Sequence, residues 1–352
     1  MPDFPYINAR VRAMRARLLD SGRLEELLAA PTFDAFLQAL ATTPYGADLQ
    51  EALTRHRGLA AVDEALARHF HATTQRILGF ADGRPRTLIE AFLRRWDLAN
   101  VRAVLRGKHT GRSPEEIAAS LWPAGTLGEV ALRELARQPD IPAVVGSLEA
   151  LGHPFAIPLA EGLGAYAETR DLLALELRLD RFYTGHVLQV ARGGGHNETV
   201  LRELVQAEID ALNVKTALKL ARLAPDAPAE PRAPGQEAER LRFFIPGGAL
   251  TTEELFLLLS HPATLEQGWR ALRVRGFPVA RPPEDLTAFE KTLDQLLARG
   301  AARLYLGDPL GLDVVVGYLA LKYNEVVNLR LIARSKALGL PRELVRREMV
   351  LV

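Results

Sequence analysis

Residues 89–106 read IEAFLRRWDLANVRAVLR. Ile89, Leu93, Trp96, Asn100 and Val104 recur at steps of three and four, the spacing that places side chains on one face of an α-helix. Arg94, Arg95, Arg102 and Arg106 turn to other faces. The predicted core stripe is apolar except for one amide, and an amide in that setting needs a hydrogen-bond partner.

The same short pattern returns twice. An acidic residue is followed three positions on by asparagine, then by an aliphatic residue and a basic one: Asp97, Asn100, Val101, Arg102; Asp210, Asn213, Val214, Lys215; Glu325, Asn328, Leu329, Arg330. The asparagines stand 113 and 115 residues apart. A degenerate fourth instance, Asn8, Ala9, Arg10, opens the chain, with Pro5 where the acid would be. Ahead of each full copy lies a Gly-containing break, 79–86, 192–197 and 307–311. Each break follows a long helical pattern, over 62–78, 170–190 and 286–305. Long helix, short turn, long helix predicts an antiparallel hairpin.

Two further boxes keep the same order. Pro31 leads to Phe36, Leu40 and Pro44; Pro139 to Val144, Leu148 and Pro154; Pro262 to Trp269, Leu272 and Pro278. Proline brackets of this kind predict short capping helices. Pro123, Gly125, Leu127 match Pro246, Gly248, Leu250. The expected fold is therefore all-α, with three related helical units at 1–108, 109–223 and 240–352, separated in one place by a Pro-rich insertion at 224–239. That insertion carries prolines at 225, 228, 231 and 234 and reads as an extended, solvated segment.

Composition narrows the function. With 44 Lys and Arg against 43 Asp and Glu among 352 residues, no field of one sign exists to hold nucleic acid. The chain has no cysteine, so disulfides and thiol chemistry are excluded and a reducing, cytoplasmic location is the default. The first ten residues contain no apolar leader core, and no stretch approaches the roughly 18–20 apolar residues of a membrane span.

The repeated acid and amide sit at the edge of an apolar stripe in every copy. They read either as register-fixing groups, bonded to backbone at a break or to an arginine, or as a metal or acid/base site. Copy number favours architecture, since one carboxylate per copy leaves acid/base work without its pair. Asp97, Asn100, Asp210, Asn213, Glu325 and Asn328 are thus expected to be structural. No catalytic, metal or cofactor residue is read from the rest. Gly193 to Gly195 follow a helix pattern and lack the Gly-Lys-Ser/Thr ending of a phosphate loop. The eight histidines never form a pair four apart around a glutamate, and His153 and His261, each before proline, suit turns. The N-terminal arginines, 10, 12, 15 and 17, spread around their helix, as a solvated face or an acidic-partner surface would.

Taken in order, these features resemble the C subunit of archaeal and bacterial V/A-type rotary ATPases, which is similar to the d subunit of the eukaryotic vacuolar enzyme. The resemblance is carried by Tyr6, Asn8, Ala9, Arg10, Val11 and Arg12; by Pro44, Tyr45 and Gly46; by Asp97 and Asn100 with Leu105 and Arg106; and by the run from Asp308 through Tyr318, Glu325 and Asn328 to Pro341. It extends over nearly the whole chain. The Pro-rich insertion and the missing acid of the first copy depart from it. The resemblance implies a non-catalytic, pseudo-threefold helical funnel, one copy per hetero-oligomeric complex, peripheral to the membrane on its cytoplasmic face. Its implied partners are the D and F shaft subunits and the membrane proteolipid ring, and its implied work is to couple proton transport to ATP synthesis or hydrolysis. The rival expectation is a helical-repeat scaffold that binds soluble partner chains. A helical hydrolase with a site assembled from distant residues is the third.

Overall fold

The computed structural model describes residues 3–222, 240–259, 270, 272–274 and 286–351. It is all-α, with no strand among the described residues. Two compact units divide the chain: Met1–Leu172 with Ala301–Val352, and Leu173–Gly300.

The first unit is built on the helix Asp313–Leu338. Most of its residues are buried, from Val314, Val315 and Val316 through Leu319 and Val326 to Ile332 and Ala333, with Tyr323 and Val327 left exposed on one side, as befits a helix largely enclosed by others. Helices Phe4–Arg15, Ser21–Ala29, Phe33–Ala41, Gly58–Phe80, Gly83–His109 and Arg342–Glu348 all pack against it. Gly317 permits the closest approach. A Cβ there would lie 2.1 Å from the backbone nitrogen of Tyr305, so any larger residue would push the incoming turn away. That turn, Leu304–Leu306, is a 3₁₀ segment closed by the Gly307 N–H donating to the Leu304 carbonyl at 2.8 Å. The preceding α-helix therefore ends at Arg303, two residues before its sequence pattern does.

The helix Gly58–Phe80 turns through Ala81 and Asp82 into Gly83–His109, and the Asp82 carboxylate caps the second arm by accepting from Gly83 N–H. Phe70 and Trp96, well back from the turn on either arm, meet edge to face at 5.3 Å, so the arms fold back as a hairpin. The predicted stripe Ile89, Leu93, Trp96, Asn100, Val104 is buried throughout. Beside it pack Pro114–Ala118, Glu129–Arg137 and Ile141–Ala150, and Ala156–Thr169 rests on the last of these. Ser113 and Glu116 form a reciprocal capping box at the first. In the proline-bracketed caps, Phe36, Leu40, Val144 and Leu148 are fully buried.

The second unit pairs the helices His196–Arg222 and Thr252–Leu259. Its core gathers Val214, Leu218, Phe244, Leu250, Leu255, Leu272, Phe289 and Leu293. Thr251 and Glu254 exchange the two bonds of another capping box. The helix Leu172–Val190 begins two residues later than its pattern predicts. Arg170 adopts a left-handed conformation (φ 56°) that closes Ala156–Thr169, its N–H donating to the Tyr166 carbonyl at 2.9 Å. The expected Pro-rich insertion at 224–239 lies outside the described residues, as do Pro262, Trp269, Pro278 and His261.

Candidate functional site

The recurring polar residues are the most constrained chemistry in the chain. Asn100, Asn213 and Asn328 are all buried, and all make the same two bonds. Asn213 Nδ2 donates to the Ile245 carbonyl at 2.8 Å while its Oδ1 accepts from the Ile245 N–H at 2.8 Å. Asn328 does the same to Val350, at 2.9 and 3.1 Å. Asn100 donates to the Trp122 carbonyl and accepts from the Trp122 N–H at 2.7 Å. Each amide thus clasps both backbone groups of one residue, as a neighbouring strand would. Asn8, the degenerate copy, keeps the donor half only: its Nδ2 donates to the carbonyls of Pro309 and Gly311 at 3.0 and 2.8 Å, within the last Gly-containing break. Its Oδ1 is buried and has no hydrogen-bond partner among the described residues.

The first two acids complete the clasp. Asp97 is 0% exposed; its Oδ1 accepts from Leu127 N–H at 2.9 Å, and its Oδ2 accepts from both the N–H and the hydroxyl of Thr126 at 2.8 Å. Asp210 accepts from Ala249 and Leu250 N–H at 3.1 and 3.0 Å. Glycine is required beneath both carboxylates, because a Cβ on Gly125 or Gly248 would lie 2.1 Å from Oδ1 of Asp97 or Asp210. The Pro-Gly-Leu box and the Asp-Asn box, separate in sequence, are two halves of one device. The clasped residue lies 22, 32 and 22 positions after its asparagine in the three copies. The ten additional positions fall in the interval that contains the Pro-rich stretch.

The third acid differs. Its carboxylate instead accepts from Tyr45 Oη at 2.6 Å, from Lys322 Nζ at 2.7 Å and from the Leu19 N–H. Lys322 is 2% exposed and also lies over the Tyr45 ring at 4.3 Å. Burial pushes the Lys322 ammonium below its ordinary range, against the opposing pull of Glu325. Burial and the Glu325 charge push the Tyr45 phenol well above its ordinary range. Sequence reading missed Lys322 and Tyr45 as members of this group. The available signal was a lysine three positions before the acid, inside an otherwise apolar run.

The basic residues that end each motif serve as struts where their partners are seen. Arg330 stacks on Trp122 at 3.5 Å, with its Nε 2.8 Å from Asp63, and Lys215 reaches Asp294. His153 is buried in its turn, accepting from Phe155 N–H at 3.3 Å, with Nε2 3.9 Å from Asp97. Arg10 lies over Tyr6 and Phe80, and Arg15 over Tyr305, so part of the N-terminal arginine set stacks on aromatic rings. No group of three or more metal-ligating side chains is found among the described residues. Chemically, a buried carboxylate already accepting several donors is poorly placed to take a proton from a substrate.

These features define a class of protein: all-helical, with recurring buried acid–amide pairs bonded to its own backbone. A family model described as ATP synthase (C/AC39) subunit matches residues 7–348. The chain is 34% identical over 356 positions to the C subunit of the V-type ATP synthase of Thermus thermophilus, covering 99% of this chain and 98% of that one. To the protein of the same description in Deinococcus radiodurans it is 33% identical over 349 positions, covering 99% and 92%. To the C subunit of the A-type ATP synthase of Methanocaldococcus jannaschii it is 27% identical over 352 positions, covering 97% and 85%. The chain belongs to the ATP synthase (C/AC39) subunit family.

Proposed function

We propose that the chain is a non-catalytic subunit of the central stalk of a V/A-type rotary ATP synthase. In this reading it links the D and F shaft subunits to the proteolipid ring and passes torque between them, coupling proton transport to ATP synthesis or hydrolysis. The observation that carries it is the family match across residues 7–348, supported by relatives named as the C subunits of V-type and A-type ATP synthases. Three related units, 1–108, 109–223 and 240–352, form a funnel around a common axis, one copy per complex, on the cytoplasmic face of the membrane. No helix among the described residues is long and apolar enough to cross that membrane.

The clasps give this role a physical basis. A part that transmits torque must resist twisting, and close-packed interiors transmit strain because they compress little. A helix pinned to backbone through both ends of an amide cannot slide along its neighbour without breaking two bonds at once. Asp97, Asn100, Asp210, Asn213, Glu325 and Asn328 are, in this account, stiffening residues and not reactive ones.

Affinity capture of the tagged chain from its own membranes tests the proposal. The shaft subunits and the proteolipid ring should co-purify in fixed proportion. Recovery of soluble chains alone would favour a helical adaptor instead.

A further inference from the structure

A cavity of about 580 Å³ opens in the first unit between the end of the Phe4–Arg15 segment and the helices Gly58–Phe80 and Asp313–Leu338. Its polar wall includes Arg17, Asp48, His69, Arg76, Tyr318 and Lys322. The stalk reading assigns it no task. Lys322 is engaged from behind by Glu325 at 2.7 Å, and the one carboxylate, Asp48, is met by His69 Nδ1 at 2.9 Å and lies 4.0 Å from Arg68 Nε. Arg17 and Arg76 are exposed, and neither guanidinium has a hydrogen bond or ion pair among the described residues.

Tyr318 completes this wall. The residue is 3% exposed and lines the cavity, and no hydrogen bond within the described residues engages its hydroxyl, which is not sealed off from the cavity. A cavity-facing donor that the chain leaves open is available to water or to an acceptor from outside. Burial, followed by the Glu325 charge, pushes this phenol well above its ordinary range, with Arg76 and Arg15 pulling the other way. It therefore stays protonated at neutral pH and keeps a hydrogen to donate to an acceptor in the cavity.

We propose that this cavity binds a small oxyanion of the phosphate class, accepting a hydrogen bond from Tyr318 and clamped by the guanidiniums of Arg17 and Arg76. The three donors come from three separate segments of the chain, and a tetrahedral oxyanion has acceptors pointing in several directions to engage more than one of them, whereas the acceptors of a carboxylate lie in one plane. The volume admits a diphosphate or a phosphate ester as well as the free ion. The inference does not depend on the stalk proposal.

Calorimetric titration of the full chain tests it, using inorganic phosphate, diphosphate, and phosphatidylcholine vesicles carrying phosphatidic acid, all at constant ionic strength set with chloride. Saturable binding should appear in at least one arm, and Tyr318→Phe and Arg76→Ala should each weaken it about tenfold. Both variants should keep the wild-type helix signal and melting temperature in chloride, since neither removes a bond made within the chain. Response to the soluble ions identifies a free ligand, and response to vesicles alone identifies a lipid headgroup. Absence of binding in every arm, or binding that both variants retain at full strength, would overturn the proposal.

Discussion

Asn213 and Ile245 hold each other by two hydrogen bonds of 2.8 Å, one in each direction, across 32 residues of chain. Replacing Asn213 with leucine leaves a buried N–H and a buried carbonyl unpaired, at about 1–3 kcal/mol for each group. The midpoint of urea unfolding followed by helix signal should fall accordingly, and Asn100→Leu and Asn328→Leu should behave alike. Asparagine to aspartate buries a charge and sets a carboxylate oxygen against the carbonyl that the amide had bonded, so it should cost at least as much. A variant that melts normally and fails only in assembly would mean that the amide faces a partner.

Gly125→Ala and Gly248→Ala place a methyl group where an Asp oxygen now sits, 2.1 Å away. The carboxylate must move and surrender its backbone amides, at a cost of about 1–3 kcal/mol. Gly164→Ala, inside a helix with nothing within 4 Å, is the control and should be neutral or slightly stabilising. In a double-mutant cycle, Asp97→Ala with Gly125→Ala should cost clearly less than the sum of the two single changes.

Alkaline pH should loosen the Glu325 group through Tyr45. Because its folded pKa is raised above the ordinary 10.0, the stability it contributes is full below pH 10 and is lost as pH rises from there through the folded value. Lys322 has the opposite sign. Its folded pKa is depressed below 10.5, so a penalty persists at low pH and is relieved as pH climbs towards 10.5. Urea midpoints at pH 8 and pH 11 should therefore differ less in Tyr45→Phe than in the wild type. Glu325→Gln at pH 7 strands a buried ammonium and should destabilise by about 3–5 kcal/mol.

Removing residues 227–234 takes eight positions from an interval that is ten longer than its counterparts. The separation of Asn213 from Ile245 would remain above the 22 residues that suffice in the other two copies. Yield, helix content and melting should be unchanged, as loop closure depends only weakly on length. Loss of helix signal would show that the stretch is structural.

Much of this was legible from spacing alone. Periods of three and four located the helices, and the triple recurrence marked three asparagines and two acids that clasp backbone, together with Glu325, which is held differently. Their partners were less accessible. Gly125 and Gly248 were visible as a repeated box, but only three-dimensional proximity joins that box to Asp97 and Asp210. Tyr45 and Leu19 reach Glu325 across 280 and 306 residues, a relation that local periodicity does not encode. Lys322 stands in an apolar run, but its burial against Glu325 is decided by the elements packed around it. Helix ends slipped by two residues at Arg170 and Tyr305, where a left-handed residue and a close backbone approach overrode the apolar pattern.

The most direct test is proton pumping by the reconstituted complex with and without this chain. The account predicts that, in its absence, the catalytic head still hydrolyses ATP while acidification of the vesicles ceases, and that adding the purified chain restores it. Pumping that continues unchanged without the chain, or ATP hydrolysis by the isolated chain that disappears on changing Asp97, Asp210 or Glu325, would contradict it.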